Sequence, residues 1–300
     1  MQIAIASGKG GVGKSSVAAA LIYLLKDDYP LIAVDADADA PNLDLLFGVE
    51  RWEEEKELTS AKVAKINSET CIKCGICAER CPYDCIKILD ENYIVNELTC
   101  EGCGVCKLVC PVNGVITLEE VRSGVIRKTT TKYGFSLISA QLDVGRPNSG
   151  KLVTEEKEWA KRIMKEKGIE HMIVDSAAGI GCQVIASLSG ANVAILVAEP
   201  TPASLSDVKR VYRVVQHFRE PAYLIINKAD LNPGFKGLYE FAKEEDIPII
   251  GEIPYDRAIP KSVIMLKPVV EAFPESKASK ALKQIAEVVK EQILRQFSAF

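Results

Sequence analysis

The chain has 300 residues, of which 48% are hydrophobic and 26% are charged. This composition is typical of a folded globular protein and excludes an intrinsically disordered chain. Because the formal net charge is −4 and no basic block is present, nucleic acid is not an expected partner. The longest apolar stretch, near residues 191–198, is too short to span a bilayer, which argues against a membrane partner.

The beginning of the chain and its cysteines bear on location. Met1 leads directly into a strand-like apolar run at residues 2–6, with no signal peptide before it. Eight of the ten cysteines have the spacing of metal ligands rather than of a disulfide framework. We therefore expect a cytoplasmic protein with reduced thiols.

Strands and helices are predicted to alternate along most of the chain. Short apolar runs bounded by turn residues indicate buried parallel strands at residues 3–6, 31–34, 172–174, 193–198 and 223–226. Helical patterns between them cover residues 16–26, 155–167, 204–218 and 237–245. This alternation predicts an α/β fold with a doubly wound, mostly parallel sheet.

The interval from about residue 70 to 118 does not show this alternation of strands and helices. It has short segments, dense cysteines and an internal repeat. We interpret it as a small α+β domain inserted into the α/β domain. The predicted boundaries are 1–65 for the first part of the α/β domain, 66–120 for the insert and 121–300 for the second part.

The segments around the insert are predicted from composition. Charged residues at 53–65 lead into the insert, and residues 119–133 lead out of it. Gly145, Pro147 and Gly150 predict a long loop at 141–151, where the chain re-enters the α/β domain.

A phosphate-binding loop follows the first predicted strand and precedes the first predicted helix. Its glycines allow backbone N–H groups to approach phosphate oxygens, and the helix N-terminus adds a partial positive charge. Lys14 is expected to reach the β- and γ-phosphates, and the Ser15 hydroxyl is expected to bind Mg²⁺. The predicted nucleotide-binding residues of this loop are Gly8, Lys9, Gly10, Gly11, Val12, Gly13, Lys14, Ser15 and Ser16.

The early lysine makes this motif more specific. Lys9 with residues 10–15 resembles the deviant Walker A loop of the MinD/ParA/Mrp group of ATPases, which includes the nitrogenase iron protein. In that group this lysine crosses a dimer interface and contacts the partner's nucleotide. The resemblance therefore implies the same role for Lys9, in a homodimer or a heterodimer of paralogues.

Carboxylates follow the second predicted strand at residues 34–43, where they are expected to lie over the nucleotide crevice of a parallel sheet. This segment resembles the first switch of the family. The resemblance implies that Asp37 orients the attacking water and that Asp35 supports Mg²⁺ through its water shell. Asp39 either shares this work or is an ordinary turn residue.

Residues 173–179 resemble the second switch, in which an apolar strand ends in an aspartate beside Mg²⁺. That aspartate is Asp175, and Ala177 stands where the family usually has proline. By this resemblance the catalytic residues are Lys9, Lys14 and Asp37, and the Mg²⁺ residues are Ser15, Asp35, Asp37 and Asp175.

The identity of the base rests on weaker signals. Asn227, Lys228 and Asp230 match a guanine-binding pattern, but relatives with an early lysine are ATPases whose equivalent asparagine contacts adenine. We therefore favour ATP over GTP. The resemblance also implies that Asn227, Pro254, Tyr255 and Asp256 flank the base.

Two cysteine runs have identical spacing, each ends in Cys-Pro, and equivalent cysteines are offset by 29 residues. The spacing is that of bacterial ferredoxins with two [4Fe–4S] clusters, in which the fourth cysteine of each run binds the other cluster. Zinc is disfavoured because zinc sites typically use four ligands with a longer gap between pairs. The predicted ligands are Cys71, Cys74, Cys77 and Cys110 for one cluster, and Cys81, Cys100, Cys103 and Cys106 for the other.

Two cysteines lie outside these runs. Cys85 is expected to be a small packed residue. Cys182 follows Asp175 by seven residues, the spacing at which the nitrogenase iron protein carries a cluster ligand. It is either a further thiol site or a partly buried thiol, and the second reading is favoured.

The end of the chain has a helical apolar pattern, which predicts a last helix docked on the sheet rather than a membrane-binding helix, because its polar face mixes Lys and Glu. The residues of this pattern are Leu282, Ile285, Val288, Val289, Ile293 and Phe297.

The motifs together resemble a MinD-type ATPase with an inserted ferredoxin domain. The leading hypothesis is an ATPase whose Mg-ATP-driven dimer closure is coupled to electron transfer through two [4Fe–4S] clusters to a redox partner protein. The alternatives are a carrier or assembly factor for iron–sulfur or metal clusters, and a redox-sensing, MinD-like positioning protein.

Overall fold

The computed structural model describes residues 1–146 and 149–295. In chain order the strands are β1 (Gln2–Ser7), β2 (Leu31–Ala36), β3 (Glu54–Ile66), β4 (Ile86–Leu89), β5 (Asn92–Val95), β6 (Ile116–Thr130), β7 (Ser136–Leu142), β8 (His171–Ala178), β9 (Val193–Ala198), β10 (Ala222–Asn227) and β11 (Ile249–Ile253).

The helices include several of only one or two turns. They are α1 (Lys14–Leu25), α2 (Leu43–Leu46), α3 (Ile76–Glu79), α4 (Val105–Val109), α5 (Ser149–Lys167), α6 (Cys182–Leu188), α7 (Pro202–Phe218), α8 (Gly237–Glu244), α9 (Ala258–Ile264), α10 (Val269–Ala272) and α11 (Lys277–Val289). A 3₁₀ turn follows β10 at Ala229–Leu231, and a π-helical turn extends α11 over Lys290–Leu294.

Within the described residues, nine strands form one sheet in the order β11-β10-β9-β1-β8-β2-β7-β6-β3. The strands from β11 to β7 pair in parallel, whereas β6 and β3 are antiparallel additions at one edge. The predicted doubly wound, mostly parallel sheet is therefore confirmed.

Helices cover both faces of the parallel sheet, which explains why its strands are apolar along their whole length. One face packs against α1 and α11, with Leu21 and Leu282 in its core. The opposite face is covered by α5 beside β2 and by α7 and α8 beside β9 and β10. Each of the five strands expected from the sequence is present.

The two longest strands, β3 and β6, were not expected from the sequence. Residues 53–65 were expected to be a charged approach to the insert and residues 119–133 to lead out of it, but β3 and β6 pair over almost their whole lengths as an antiparallel ribbon. Charged side chains line this ribbon because much of it is exposed, and cross-strand ion pairs such as Arg122 with Glu57 occupy its surface.

The long loop predicted at 141–151 is wrong at both ends. Strand β7 continues to Leu142, and α5 already begins at Ser149. Leu152 and Val153 are buried against the sheet, and this packing supports two helical turns ahead of the predicted start at residue 155. Pro147, one of the residues behind the loop prediction, lies outside the described residues.

The segment between β3 and β6, residues 67–115, is termed the cysteine module. It contains the short helices α3 and α4 and the β4–β5 hairpin, which forms a separate two-stranded sheet. Its cysteines and apolar residues pack with Val63, Ala64 and Ile116 of the ribbon in one core, which is distinct from the other cores on the main sheet. The module is thus carried at the end of a ribbon that belongs to the main sheet.

The last helix is docked, as the sequence pattern predicted. Leu282, Ile285, Val289 and Ile293 are buried in the core that α11 shares with α1 and the sheet. Phe297, the last residue of that pattern, lies outside the described residues. None of the helices in residues 1–146 and 149–295 is long and apolar enough to cross a membrane.

Glu156 is a carboxyl group inside the apolar layer between α5 and the sheet. It is fully buried, and burial raises the pKa of Glu156 well above its ordinary value of 4.5, with the charge of Asp35 acting in the same direction. The folded chain therefore keeps a proton on Glu156 at pH values where the unfolded chain has released it.

This difference predicts how stability depends on pH. Above about pH 4.5 the folded state binds more protons than the unfolded state, so Glu156 makes the free energy of unfolding fall by up to about 1.4 kcal/mol per pH unit. Glu156→Gln should flatten the decline in thermal stability between pH 5 and pH 8. Glu158→Gln, on the exposed side of the same helix, is the control and should leave the profile unchanged.

Candidate functional site: a phosphate loop beside buried carboxylates, and two cysteine-lined cavities

The loop between β1 and α1 is shaped by glycines in contact with neighbouring elements. A Cβ on Gly8 would lie 2.2 Å from the backbone of Asp207 in α7. Gly13 precedes α1 with a φ of 91°, and a Cβ there would lie 2.3 Å from Nδ2 of Asn227. Both positions require glycine, so the loop geometry follows from the packing around it.

Lys14, at the start of α1, forms a buried ion pair. Its Nζ lies 2.5 Å from Oδ1 of Asp175 on β8 and 3.3 Å from the hydroxyl of Ser15. The side chains of Lys14 and Asp175 are 6% and 0% exposed, so the pair is shielded from solvent. The structure thus brings Asp175 to Lys14 and Ser15, from which it is separated by 160 or more residues in the sequence.

Asp35 lies beside this pair, because β2 and β8 are neighbours and Asp35 is in register with Asp175. Its Oδ2 accepts hydrogen bonds of 2.7 Å from the backbone amides of Asn42 and Leu43. Burial, followed by the charge of Asp175, raises the pKa of Asp35 to about 7. A cation placed here would reverse that shift by stabilising the ionised form.

Two further aspartates follow β2 with different surroundings. Asp37 is half-buried, and burial raises its pKa, although the charge of Lys14 acts against this shift. Asp39 is exposed in a turn, so the structure favours the ordinary turn reading for it. The charges of Lys14 and Asp175 thus both act on Asp37.

Lys9 is held by an acidic residue that the sequence reading missed. Its Nζ pairs with Glu199, which follows β9, and Glu199 also accepts a 3.0 Å hydrogen bond from Lys228. Burial alone would raise the pKa of Glu199, but these two lysines overcome it and hold the pKa below its ordinary value. Lys228 also donates to the carbonyl of Gly11, so Glu199 anchors the loop through two cations.

The residues expected to flank the base differ in burial and in their hydrogen-bond partners. Asn227 is buried, and its Nδ2 donates a 2.6 Å hydrogen bond to the carbonyl of Val12. Tyr255 is exposed, after the half-buried Pro254. Asp256 accepts from the amides of Ala258 and Ala278, so its carboxylate ties α9 to α11.

The cysteine module contains two cavities with distinct linings. One is lined by Cys71, Cys74, Cys77 and Cys110 together with apolar residues such as Tyr93 and Ile116. The other is lined by Cys81, Cys85, Cys100, Cys103 and Cys106. Each cavity combines three cysteines of one run with the last cysteine of the other.

The two runs also share local geometry. Gly75 and Gly104 precede α3 and α4 with φ angles of 82° and 80°, so both runs turn in the left-handed region at equivalent positions. The cysteine in each short helix, Cys77 or Cys106, is 7% exposed. The sequence repeat is therefore a structural repeat.

The acidic and thiol side chains of the described residues do not converge on a single point. Among residues 1–146 and 149–295, no group of three or more His, Cys, Asp or Glu side chains could hold a single metal ion. A four-iron cube places one thiolate on each of four irons, so it requires separated sulfurs around a cavity rather than convergence on one point. Cys182 is exposed at the start of α6, so the expectation of a partly buried thiol is wrong.

Comparison with known proteins identifies the family. Residues 3–269 match the model of the CobQ/CobB/MinD/ParA nucleotide-binding domain. The chain belongs to this family. The MinD/ParA resemblance read from Lys9 and the two switch segments is therefore confirmed, and the chain is a P-loop ATPase.

Individual relatives align with this chain over nearly its whole length. An uncharacterized protein of Methanocaldococcus jannaschii, MJ0578, is 36% identical over 295 residues, which cover 98% of each chain. The antiactivator FleN of Pseudomonas aeruginosa is 27% identical and is covered to 85%. MinD of Pyrococcus horikoshii, solved with Mg-ADP, shares the fold with a TM-score of 0.59 at 20% identity, over 97% of this chain and 96% of that one.

The glycine requirement in this ATPase's loop can be tested by substitution. Gly13→Ala should lower the free energy of unfolding by at least about 1–2 kcal/mol, since a left-handed alanine is strained and its Cβ meets Asn227. ATP affinity should fall by about tenfold or more, a loss of about 1.4 kcal/mol. Thermal unfolding and nucleotide titration measure the two effects. Gly10→Ala, whose Cβ would meet nothing within 4 Å, should leave thermal stability without nucleotide unchanged.

Proposed function

We propose that this ATPase couples ATP binding and hydrolysis to electron transfer through two [4Fe–4S] clusters held by the cysteine module. The observation that carries this proposal is the cysteine content of the two cavities. Each is lined by the four thiols that a two-cluster ferredoxin would use, with the last cysteine of each run exchanged between cavities.

The surroundings of the thiols fit such clusters. Cys71, Cys74, Cys77 and Cys110 would hold one cluster, and Cys81, Cys100, Cys103 and Cys106 the other. Thiolate sulfur is the ligand that iron–sulfur clusters select, and the apolar lining lowers solvent access. Such clusters, when bound, accept and donate single electrons.

At the nucleotide, Lys14 would bind the β- and γ-phosphates, and the glycine loop would donate backbone amides to them. The phosphates would then share the N–H donors of Lys14 with Asp175, which weakens the ion pair between these two residues. Mg²⁺ carried by the nucleotide and bound by Ser15 would compensate Asp175 and Asp35. Asp37, half-buried beside them, would orient the attacking water.

Hydrogen bonds connect this nucleotide site to the cysteine module. The carbonyl of Ala38, next to Asp37, accepts a 2.9 Å hydrogen bond from the amide of Leu142 at the end of β7. The next amide, of Asp143, donates to Ser123 on the ribbon strand β6. A shift of the residue 37–38 backbone would therefore be transmitted to the ribbon.

A second contact reaches the cysteine module itself. Arg146, just beyond β7, donates a 3.2 Å hydrogen bond to the carbonyl of Glu97. Gly145 fits against Leu98, since a Cβ there would lie 2.6 Å from its carbonyl oxygen. Residues 142–146 thus touch both the segment after β2 and the cysteine module, and nucleotide state would reorient the module through them.

Mg-ATP would close a dimer through Lys9, as the family resemblance implies, with the chain pairing with itself or with a paralogue. Lys9 is bound to Glu199 of its own chain, so the partner's phosphates must compete with that carboxylate. Glu199 would therefore oppose closure in the absence of ATP. This gives the dimer a dependence on nucleotide without any additional domain.

The competition predicts opposite effects of two substitutions. Lys9→Ala should abolish Mg-ATP-dependent dimerisation, because the contact across the interface is lost. Glu199→Gln should lower the protein concentration at which Mg-ATP produces dimers by several fold, because Lys9 is released from an ionic partner. Analytical ultracentrifugation with and without Mg-ATP measures both. The control is Glu275→Gln, which alters an exposed ion pair with Lys280; equal dimerisation of Lys9→Ala and the unmodified chain contradicts the role.

The electron-transfer function is tested on anaerobically reconstituted full-length protein. We expect about eight irons per chain and an electron paramagnetic resonance signal after reduction, as two four-iron clusters require. Cys74→Ala and Cys103→Ala, one in each cavity, should each remove the signal of a different cluster. Asp37→Ala with Mg-ATP should then retain a partner from cell extract that holds a redox centre.

Two results would contradict this function. Binding of about two zinc ions in place of iron would remove its basis in the cysteines. A retained partner without a redox centre, together with transfer of iron and sulfide to a metal-free protein, would favour the cluster carrier instead.

A further inference from the structure

The two cysteine runs differ at one position that their repeat makes comparable. Cys85 follows Cys81, the last cysteine of the first run, by four residues. The equivalent position after the second run is Gly114. The cavity with Cys71 and Cys110 therefore has four cysteines in its lining, whereas the cavity with Cys81 and Cys100 has five. The extra thiol breaks an otherwise matched pair of sites.

Cys85 faces the second cavity, where its side chain contacts those of Cys81 and Cys100. It is 3% exposed, and its Sγ lies 3.3 Å from Sγ of Cys81. A residue that served only to fill space could be alanine or valine at this position, since nothing in apolar packing requires a second sulfur there. The contact places two thiols at the same corner of the cavity.

The backbone holds this thiol in place. Asp84 has a left-handed φ of 48°, and its amide donates to the carbonyl of Cys81, so the chain turns back over Cys81. Cys85 then leads into β4, and its carbonyl accepts a 2.7 Å hydrogen bond from the amide of Asn96. The turn fixes Cys85 within reach of the corner that Cys81 occupies.

We propose that Cys85 is a reserve ligand for the corner of the second cluster that Cys81 holds, an inference that rests on the proposed function. When Cys81 is absent or its sulfur–iron bond breaks, Cys85 loses its proton to solvent and its thiolate forms a bond to the same iron. One sulfur–iron bond replaces another, so no electron is transferred. The first cluster has no equivalent thiol, and its corner at Cys110 cannot be refilled in this way.

The repeat supplies a matched test on the anaerobically reconstituted full chain. Cys81→Ala should keep about eight irons and both four-iron signals, because Cys85 takes the vacant corner. Cys110→Ala should lose its four-iron signal, with iron falling to about seven or fewer as the cluster becomes a three-iron form or is lost. The double variant Cys81→Ala/Cys85→Ala should lose the second cluster in the same way as Cys110→Ala loses the first.

The outcomes separate this inference from the proposed function. If the unmodified chain holds no iron–sulfur cluster, the proposed function itself fails. If the unmodified chain holds both clusters but Cys81→Ala loses as much iron and signal as Cys110→Ala, the reserve ligand is overturned. Should Cys81→Ala fail to fold, Cys81→Ser with and without Cys85→Ser provides the same comparison; a four-iron signal that is identical in both overturns the inference as well.

Discussion

The structure of the nucleotide site depends on one buried cation. Lys14 lies between the end of the phosphate loop and Asp175, and Asp35 is in register beside Asp175 on the neighbouring strand. Two carboxylates buried this deeply are costly unless a positive charge or a proton compensates them. Removing one partner of a buried ion pair typically costs about 3–5 kcal/mol, so any ligand that draws Lys14 away must bring a replacement charge. Magnesium bound to a nucleotide meets this requirement.

The strands of the main sheet connect this nucleotide site to the cysteine module. Strand β2, which ends at the aspartates, pairs with β7, and β7 pairs with the ribbon strand β6. Because the ribbon belongs to the sheet, the cysteine module is attached by two paired strands rather than by a flexible linker. Ala38 and Leu142 join the segment after β2 to this edge by a backbone hydrogen bond. In the function we propose, nucleotide-bound magnesium replaces the charge of Lys14 beside Asp175, and this replacement moves the cysteine module.

The sequence predicted those parts whose signals are local. The strands of the parallel core are continuous apolar runs, and the phosphate loop has a fixed spacing, so both were readable. The ribbon of β3 and β6 was missed because its surface is charged and its pairing joins residues separated by the whole cysteine module. Glu199 was not predicted for a related reason: its role depends on ion pairs with Lys9 and Lys228, which lie far from it along the chain.

By itself, the amino-acid sequence determined the chemical identity of this protein's sites: a deviant phosphate loop, aspartates after apolar strands, and two cysteine runs of equal spacing. Tertiary structure alone decided which of these groups meet. It placed Lys14 on Asp175, Lys9 on Glu199 and Cys85 against Cys81. Spacing along the chain specifies contacts within one turn or loop, whereas contacts between elements depend on strand order and packing, which a single sequence does not encode in any local pattern.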